Sequence, residues 1–269
     1  MNRLKIILGY ILAFIASIIV VCLIGLIVLK ITVADKNYIK KELDNNKYYE
    51  KINKEILDKM EYYMASSGLP NDILEDIFTI EDIKNDVNSL IDNAYLGQKN
   101  VVNVEKVKKK INNNIDNYIS DHEVKLTSES YLNSFVDKMV SFYEQEVNLY
   151  GMVNGYVGYI PKLENIINTW LIGGIIIFII LIIILVLLKV NYIGSIFVSS
   201  GLIILFVRMI FLEKIDYENI LIISKNFSEM IKIFINRINS NMLIGTIIVI
   251  SIGFILILLK SFKMRFKNV

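Results

Sequence analysis

Residues 166–188 read IINTWLIGGIIIFIILIIILVLL, between Glu164 and Lys189. The run contains neither an ionisable side chain nor a proline. The hydrocarbon core of a bilayer is about 30 Å thick and takes roughly 20 apolar residues to cross as a helix. Strand edges and open loops cannot face hydrocarbon, because their backbone would be left without hydrogen bonds. The stretch therefore predicts a membrane-spanning helix.

Three further runs meet the same test. Ile6–Leu29 is uncharged between Lys5 and Lys30, Val190–Leu212 is interrupted by Arg208 alone, and Met242–Leu259 closes at Lys260. The expected fold is an all-α integral membrane protein with four transmembrane helices. A large extracytoplasmic helical-bundle domain is expected between the first and the second. Composition agrees: of 269 residues 54% are hydrophobic and 21% charged, with a mean hydropathy of +0.51. Such a balance excludes a soluble enzyme, a disordered chain and a disulfide scaffold.

The first run follows Arg3 and Lys5, and Thr32-Val33-Ala34 resembles a signal-peptide cleavage site. Its apolar length nevertheless exceeds the ~7–15 residues of a signal-peptide core, so an uncleaved anchor is expected. Cys22 follows Val21, which rules out a lipoprotein acylation box, and reads as a small apolar residue.

Orientation follows from lysine and arginine in the short flanks. Arg3 and Lys5, then Lys189, then Lys260, Lys263, Arg265 and Lys267 fall on one side of a four-span chain, with no acidic residue among them. That side is expected to be cytoplasmic, with both termini there and residues 32–165 and 213–241 outside a plasma membrane. The expected parts are an N-terminal tip with the first span (1–31), the external domain (32–165), spans at 166–188 and 190–212, an outer amphipathic interfacial helix (213–241), the last span (242–259) and a basic tail (260–269). Residues 33–165 hold 16 lysines, no arginine and 23 carboxylates, an acidic excess that argues against nucleic acid.

Within the external domain, apolar residues recur every three or four positions. The stripes are Ile52, Ile56, Met60, Tyr63; Val104, Val107, Ile111, Ile115, Tyr118; and Leu132, Phe135, Met139, then Phe142 or Tyr143, then Glu146 or Val147. Each predicts an amphipathic helix burying one face. The first span is expected to run outward as a stalk, break at Asp44-Asn45-Asn46 and end at Gly68-Leu69-Pro70. Thr79 with Asp82 resembles an N-cap signal for a helix ending at Gly97, and Ser128 or Ser130 caps another. Four to five helices should result. Pro161 suits the first turn of the helix entering the membrane, and Tyr156 and Tyr159 suit the headgroup layer.

Candidate functional residues are sparse. Arg208 is the one ionisable group inside a predicted span, and such charges are costly enough to mark function unless they snorkel to the interface. Small residues at helical steps suggest close helix packing: Gly9, Ala13 and Ser17; Ser195 and Ser199, flanked by Gly194 and Gly201; and Gly245 and Gly253. Gly151, Gly155 and Gly158, interleaved with tyrosines, form an interfacial loop or a hinge. Asp72, Glu75, Asp76, Glu81, Asp82 and Asp86 match no calcium loop and read as a solvated face. His122 lacks partners for zinc or a triad. The lysines at 106 and 108–110 read as a solvated helix face, with anionic wall polymers as the sharper alternative. Twelve tyrosines in residues 33–165 serve a half-buried core or a recognition surface.

No cofactor and no metal are expected. The leading expectation is a non-enzymatic plasma-membrane protein whose external helical domain binds a partner or senses an external signal, as accessory, scaffold or sensor. Its expected partners are the lipid bilayer and a membrane or cell-envelope protein, or a further copy of itself. The alternative is an oligomeric channel or transporter component, with Ser195, Ser199, Ser200 and Arg208 as its polar line. A membrane enzyme using Asp216 and Glu218 ranks third.

Overall fold

The structure is a computed structural model that describes residues 3–65, 67–98, 102–123, 128–148, 159–214 and 225–266. The helices are α1 (Arg3–Ile31), α2 (Lys36–Asn45), α3 (Tyr48–Met64), α4 (Ile80–Tyr95), α5 (Glu105–Asp121), α6 (Glu129–Val147), α7 (Ile160–Leu187), α8 (Ile193–Lys214) and α9 (Lys225–Phe266), with a 3-10 turn at Asn71–Leu74. Among the described residues there is no strand. The chain divides into two compact units: α2 to α6 form one, and α1, α7, α8 and most of α9 form the other.

The charged unit follows its apolar stripes. Ile52, Ile56 and Met60 of α3, Ile83, Val87 and Ile91 of α4, Val107, Ile111 and Ile115 of α5, and Phe135, Met139 and Tyr143 of α6 close on one buried core. Helix α4 starts where its sequence signal sits. The Thr79 hydroxyl accepts the Asp82 backbone N–H at 3.1 Å, and the Asp82 carboxylate accepts the Thr79 N–H at 3.0 Å. This reciprocal capping box satisfies two backbone donors that a helix start leaves open. Ser128 caps α6 through the Tyr131 N–H, and α4 gives way at Gly97, whose φ of 70° glycine adopts without steric cost.

The expected stalk is not continuous. Helix α1 stops at Ile31, and the Thr32 hydroxyl donates to the Val28 carbonyl at 2.6 Å, a side-chain bond that competes with helix continuation. A second break follows at Asn46-Lys47, where Lys47 takes φ 52°. Among the described residues, five α-helices, α2 to α6, lie wholly within the charged unit.

Four helices are long and apolar enough to cross a membrane: Arg3–Ile31, Pro161–Leu187, Ile193–Ile210 and Met230–Phe262. Ala16, Val20, Ile24 and Val28 of α1 share a core with Leu181 and Leu185 of α7, Ile196 and Ile204 of α8 and Val249 of α9. Helices α8 and α9 meet backbone to backbone. A methyl group on Gly194 would stand 2.6 Å from Ile257 Cγ1, and one on Gly253 would stand 2.8 Å from the Gly194 carbonyl oxygen. Helix α7 leaves Ile172, Ile175, Ile176, Ile179, Ile180 and Ile183 exposed. A helix apolar all round needs an apolar surrounding.

The expected interfacial helix (213–241) and the last span (242–259) are not separate elements. Helix α9 runs unbroken from Lys225 to Phe266. No glycine or proline interrupts residues 225–244, so its hydrogen-bond ladder has no cause to break.

Two substitutions probe the two units. Thr79→Ala should cost the charged unit about 1 kcal/mol, as lost N-caps do. Gly253→Leu should lower the melting temperature of the detergent-solubilised chain far more than Gly25→Leu, because a methyl group on Gly25 meets nothing within 4 Å. Circular dichroism melts check both, and equal melting for the two glycine variants would refute the close crossing.

Candidate functional site

In the charged unit, three helices build a polar cleft. Asp82 and Asp86 stand one turn apart on α4, so both side chains reach the same face. Lys106 on α5 pairs with Asp82, and the Tyr143 hydroxyl on α6 donates to Asp86 Oδ2 at 2.6 Å. With Ile77, Phe78, Asn85, Asn103 and Val107 these residues line a cavity of about 240 Å³. Phe78 and Tyr143 pack with ring centroids 5.1 Å apart.

The two carboxylates are driven in opposite directions. The hydrogen bond from Lys106, reinforced by those from Thr79, lowers Asp82 to about 2 against burial that opposes it. Burial raises Asp86 above the ordinary carboxylate range, and the hydrogen bond from Tyr143 only partly offsets it. Burial, then the neighbouring Asp86, pushes the Tyr143 phenol up so that it remains a donor. The site thus holds one firmly ionised, ion-paired acid and one half-buried acid whose charge is costly. A cationic group entering the cavity would relieve that cost.

Other acids of the expected cluster behave as a solvated face: Asp72, Glu75, Asp76 and Glu81 are exposed. The departure concerns Asp82 and Asp86, which turn inward because their spacing on α4 puts them over α5 and α6. Most of the lysine patch is engaged as well. Lys108 pairs with Asp137 at 2.7 Å and Lys110 Nζ donates to the Asp76 carbonyl at 2.7 Å. His122 is exposed and stacks on Tyr118 at 4.3 Å. Among the described residues no group of three or more His, Cys, Asp or Glu is placed to hold a metal.

The apolar unit carries the remaining candidates. Arg208 Nε donates to Asn239 Oδ1 at 2.6 Å, joining α8 to α9. Sequence reading singled out Arg208 but missed Asn239, one of three asparagines at 236, 239 and 241. Its type was visible; its partner, 31 positions away, was not. Around the pair lies a second cavity of about 240 Å³, walled by α1, α8 and α9.

Helices α1 and α8 are joined by two buried serines. Ser17 Oγ lies 3.0 Å from the Ala13 carbonyl and 3.2 Å from that of Ile196. Ser200 Oγ lies 3.0 Å from the Ser17 carbonyl and 2.7 Å from that of Ile196. Each hydroxyl has one proton to give, so each bond is shared between two carbonyls. The face of α8 that meets α1 is Ile196, Ser200 and Ile204, whereas Ser195 and Ser199 are exposed. The expected Ser195/Ser199 stripe is thus not the one used within the chain, because the buried face starts one residue later. Gly9 sits against Val190 and Tyr192, and Gly245 against Ile24. The proposed hinge glycines 151, 155 and 158 lie outside the described residues.

Comparison with family models, with curated proteins and with solved structures finds no match to this chain.

The opposed carboxylates give opposed pH dependences. Asp86, raised in the folded state, contributes stability below its ordinary 3.8 and loses it as pH rises through the raised value. Asp82 contributes above 3.8 and loses its contribution as pH falls through about 2. Asp86→Asn should therefore gain melting temperature on wild type as pH rises from about 4 to about 7, while Asp82→Asn should fall behind as pH rises from about 2 to about 4 and keep a steady deficit above that. Parallel melting curves for all three proteins would contradict this electrostatic assignment.

Proposed function

We propose that the chain is a multi-pass plasma-membrane protein whose charged helical unit stands outside the cell and acts by binding, either a partner protein of the membrane or envelope or an external signal. The observation that carries this reading is the separation of charge. Helices α2 to α6 close a core of their own between the first and second apolar helices, while the basic residues Arg3, Lys5, Lys189 and Lys260 flank those helices at the opposite ends. Lysine and arginine in short flanks are retained on the cytoplasmic side.

The Asp86 cleft is the receiving surface in this reading. It offers a cationic group a half-buried carboxylate against the Phe78–Tyr143 wall, and no catalytic set is invoked. With short tails inside, an output has to pass through the apolar helices or a membrane partner that reads them. One observation favours the channel alternative: Ser195 and Ser199 are exposed on α8, where copies around a common axis could share them.

Gentle detergent extraction, native mass determination and identification of co-purifying proteins separate the readings. The binding reading expects a defined complex with another protein, lost on Asp86→Lys while helix content is kept. A closed homo-oligomer with no other protein, unchanged by Asp86→Lys, would overturn it in favour of the channel.

A further inference from the structure

We propose that the cleft between α1, α8 and α9 binds an anionic phospholipid, one acyl chain lying along its apolar wall and the phosphate on the Arg208 guanidinium. The inference rests on the membrane reading above and adds a ligand to it.

Three observations converge. Among the described residues, the one side-chain partner of Arg208 is the neutral amide of Asn239, and no described carboxylate pairs with it. A guanidinium with Nε engaged still presents its terminal nitrogens, whose planar fork suits phosphate. The rest of the wall, including Val28, Leu29, Val207 and Met242, is hydrocarbon. Ordered water needs two to four polar partners in such a space; Arg208 and Asn239 alone do not supply that along the cavity, whereas an acyl chain needs none. Finally, Gly25 leaves the cleft open: a methyl group there would meet nothing within 4 Å. A larger side chain at 25 would occupy the space without disturbing the backbone.

A phosphate alone would use only the arginine, and a neutral lipid only the wall. The combination selects a lipid that carries both. A charged group inside apolar surroundings is stabilised by such a partner far more than at a wet surface.

The test uses the full chain, delipidated in mild detergent and titrated with phosphatidylglycerol or phosphatidylcholine under native mass spectrometry. Wild type should retain one phosphatidylglycerol, with phosphatidylcholine held on the order of tenfold more weakly, about 1.4 kcal/mol. Gly25→Leu should lose that lipid at unchanged helix content. Arg208→Gln should bind the two lipids alike, and inorganic phosphate should not compete. Equal retention of both lipids by wild type, unaltered retention by Gly25→Leu, or displacement by phosphate would overturn the proposal. If Gly25→Leu fails to fold, the wild-type preference and its loss in Arg208→Gln decide. Release of the chain from membranes by alkaline carbonate would instead sink the membrane reading itself.

Discussion

An ionised side chain in hydrocarbon costs several kcal/mol unless it finds a partner or reaches water. The chain is organised around that cost. Its charges lie mostly in α2 to α6 and around the ends of the apolar runs, and the four runs 6–29, 166–188, 190–212 and 242–259 keep one charged residue, Arg208, tied to Asn239. Once charge is excluded, the apolar helices cannot distinguish their faces by polarity. They distinguish them by size. Gly194 and Gly253 let α8 and α9 touch, and Ser17 and Ser200 bond to carbonyls across the α1–α8 contact. Interhelical bonds of this kind are worth only about 1 kcal/mol each in a bilayer, so their value lies in fixing register as much as in stability.

The charged unit obeys the opposite logic. Its helices are amphipathic, and water drives their apolar stripes together. Ion pairs such as Lys36 and Lys40 with Asp92, both at 2.8 Å, lie at the surface and contribute little individually. The exception is the Asp86 cleft, where a carboxylate is drawn under Tyr143 and kept from full hydration. Burying a charge there costs stability, which the proposed binding role of the cleft would explain.

What the sequence made legible follows from the range of the signals. The apolar runs, the three buried stripes of α3, α5 and α6 and the Thr79 cap are encoded by neighbours in the chain, and each was readable. The join of residues 225–241 to the last apolar run was readable in principle from the missing glycine and proline, but the amphipathic pattern there suggested a separate helix. The pairing of Arg208 with Asn239, the inward turn of Asp86 and the choice of Ser200 over Ser195 and Ser199 depend on which helices become neighbours. The long apolar runs, apolar on every side, carry no stripe that would reveal the neighbours of Arg208 and Ser200.

The central proposal is that charge distribution places the charged unit outside a membrane that the apolar helices cross, with their basic ends inside. Single cysteines in a Cys22→Ala background test it: Tyr62→Cys on α3, where the native side chain is 86% exposed, and Ser261→Cys near the end of α9. In intact cells a membrane-impermeant maleimide should label the cysteine at position 62 and leave the one at 261 unlabelled until the cells are permeabilised. Labelling of position 261 but not 62, or of both before permeabilisation, would contradict the account.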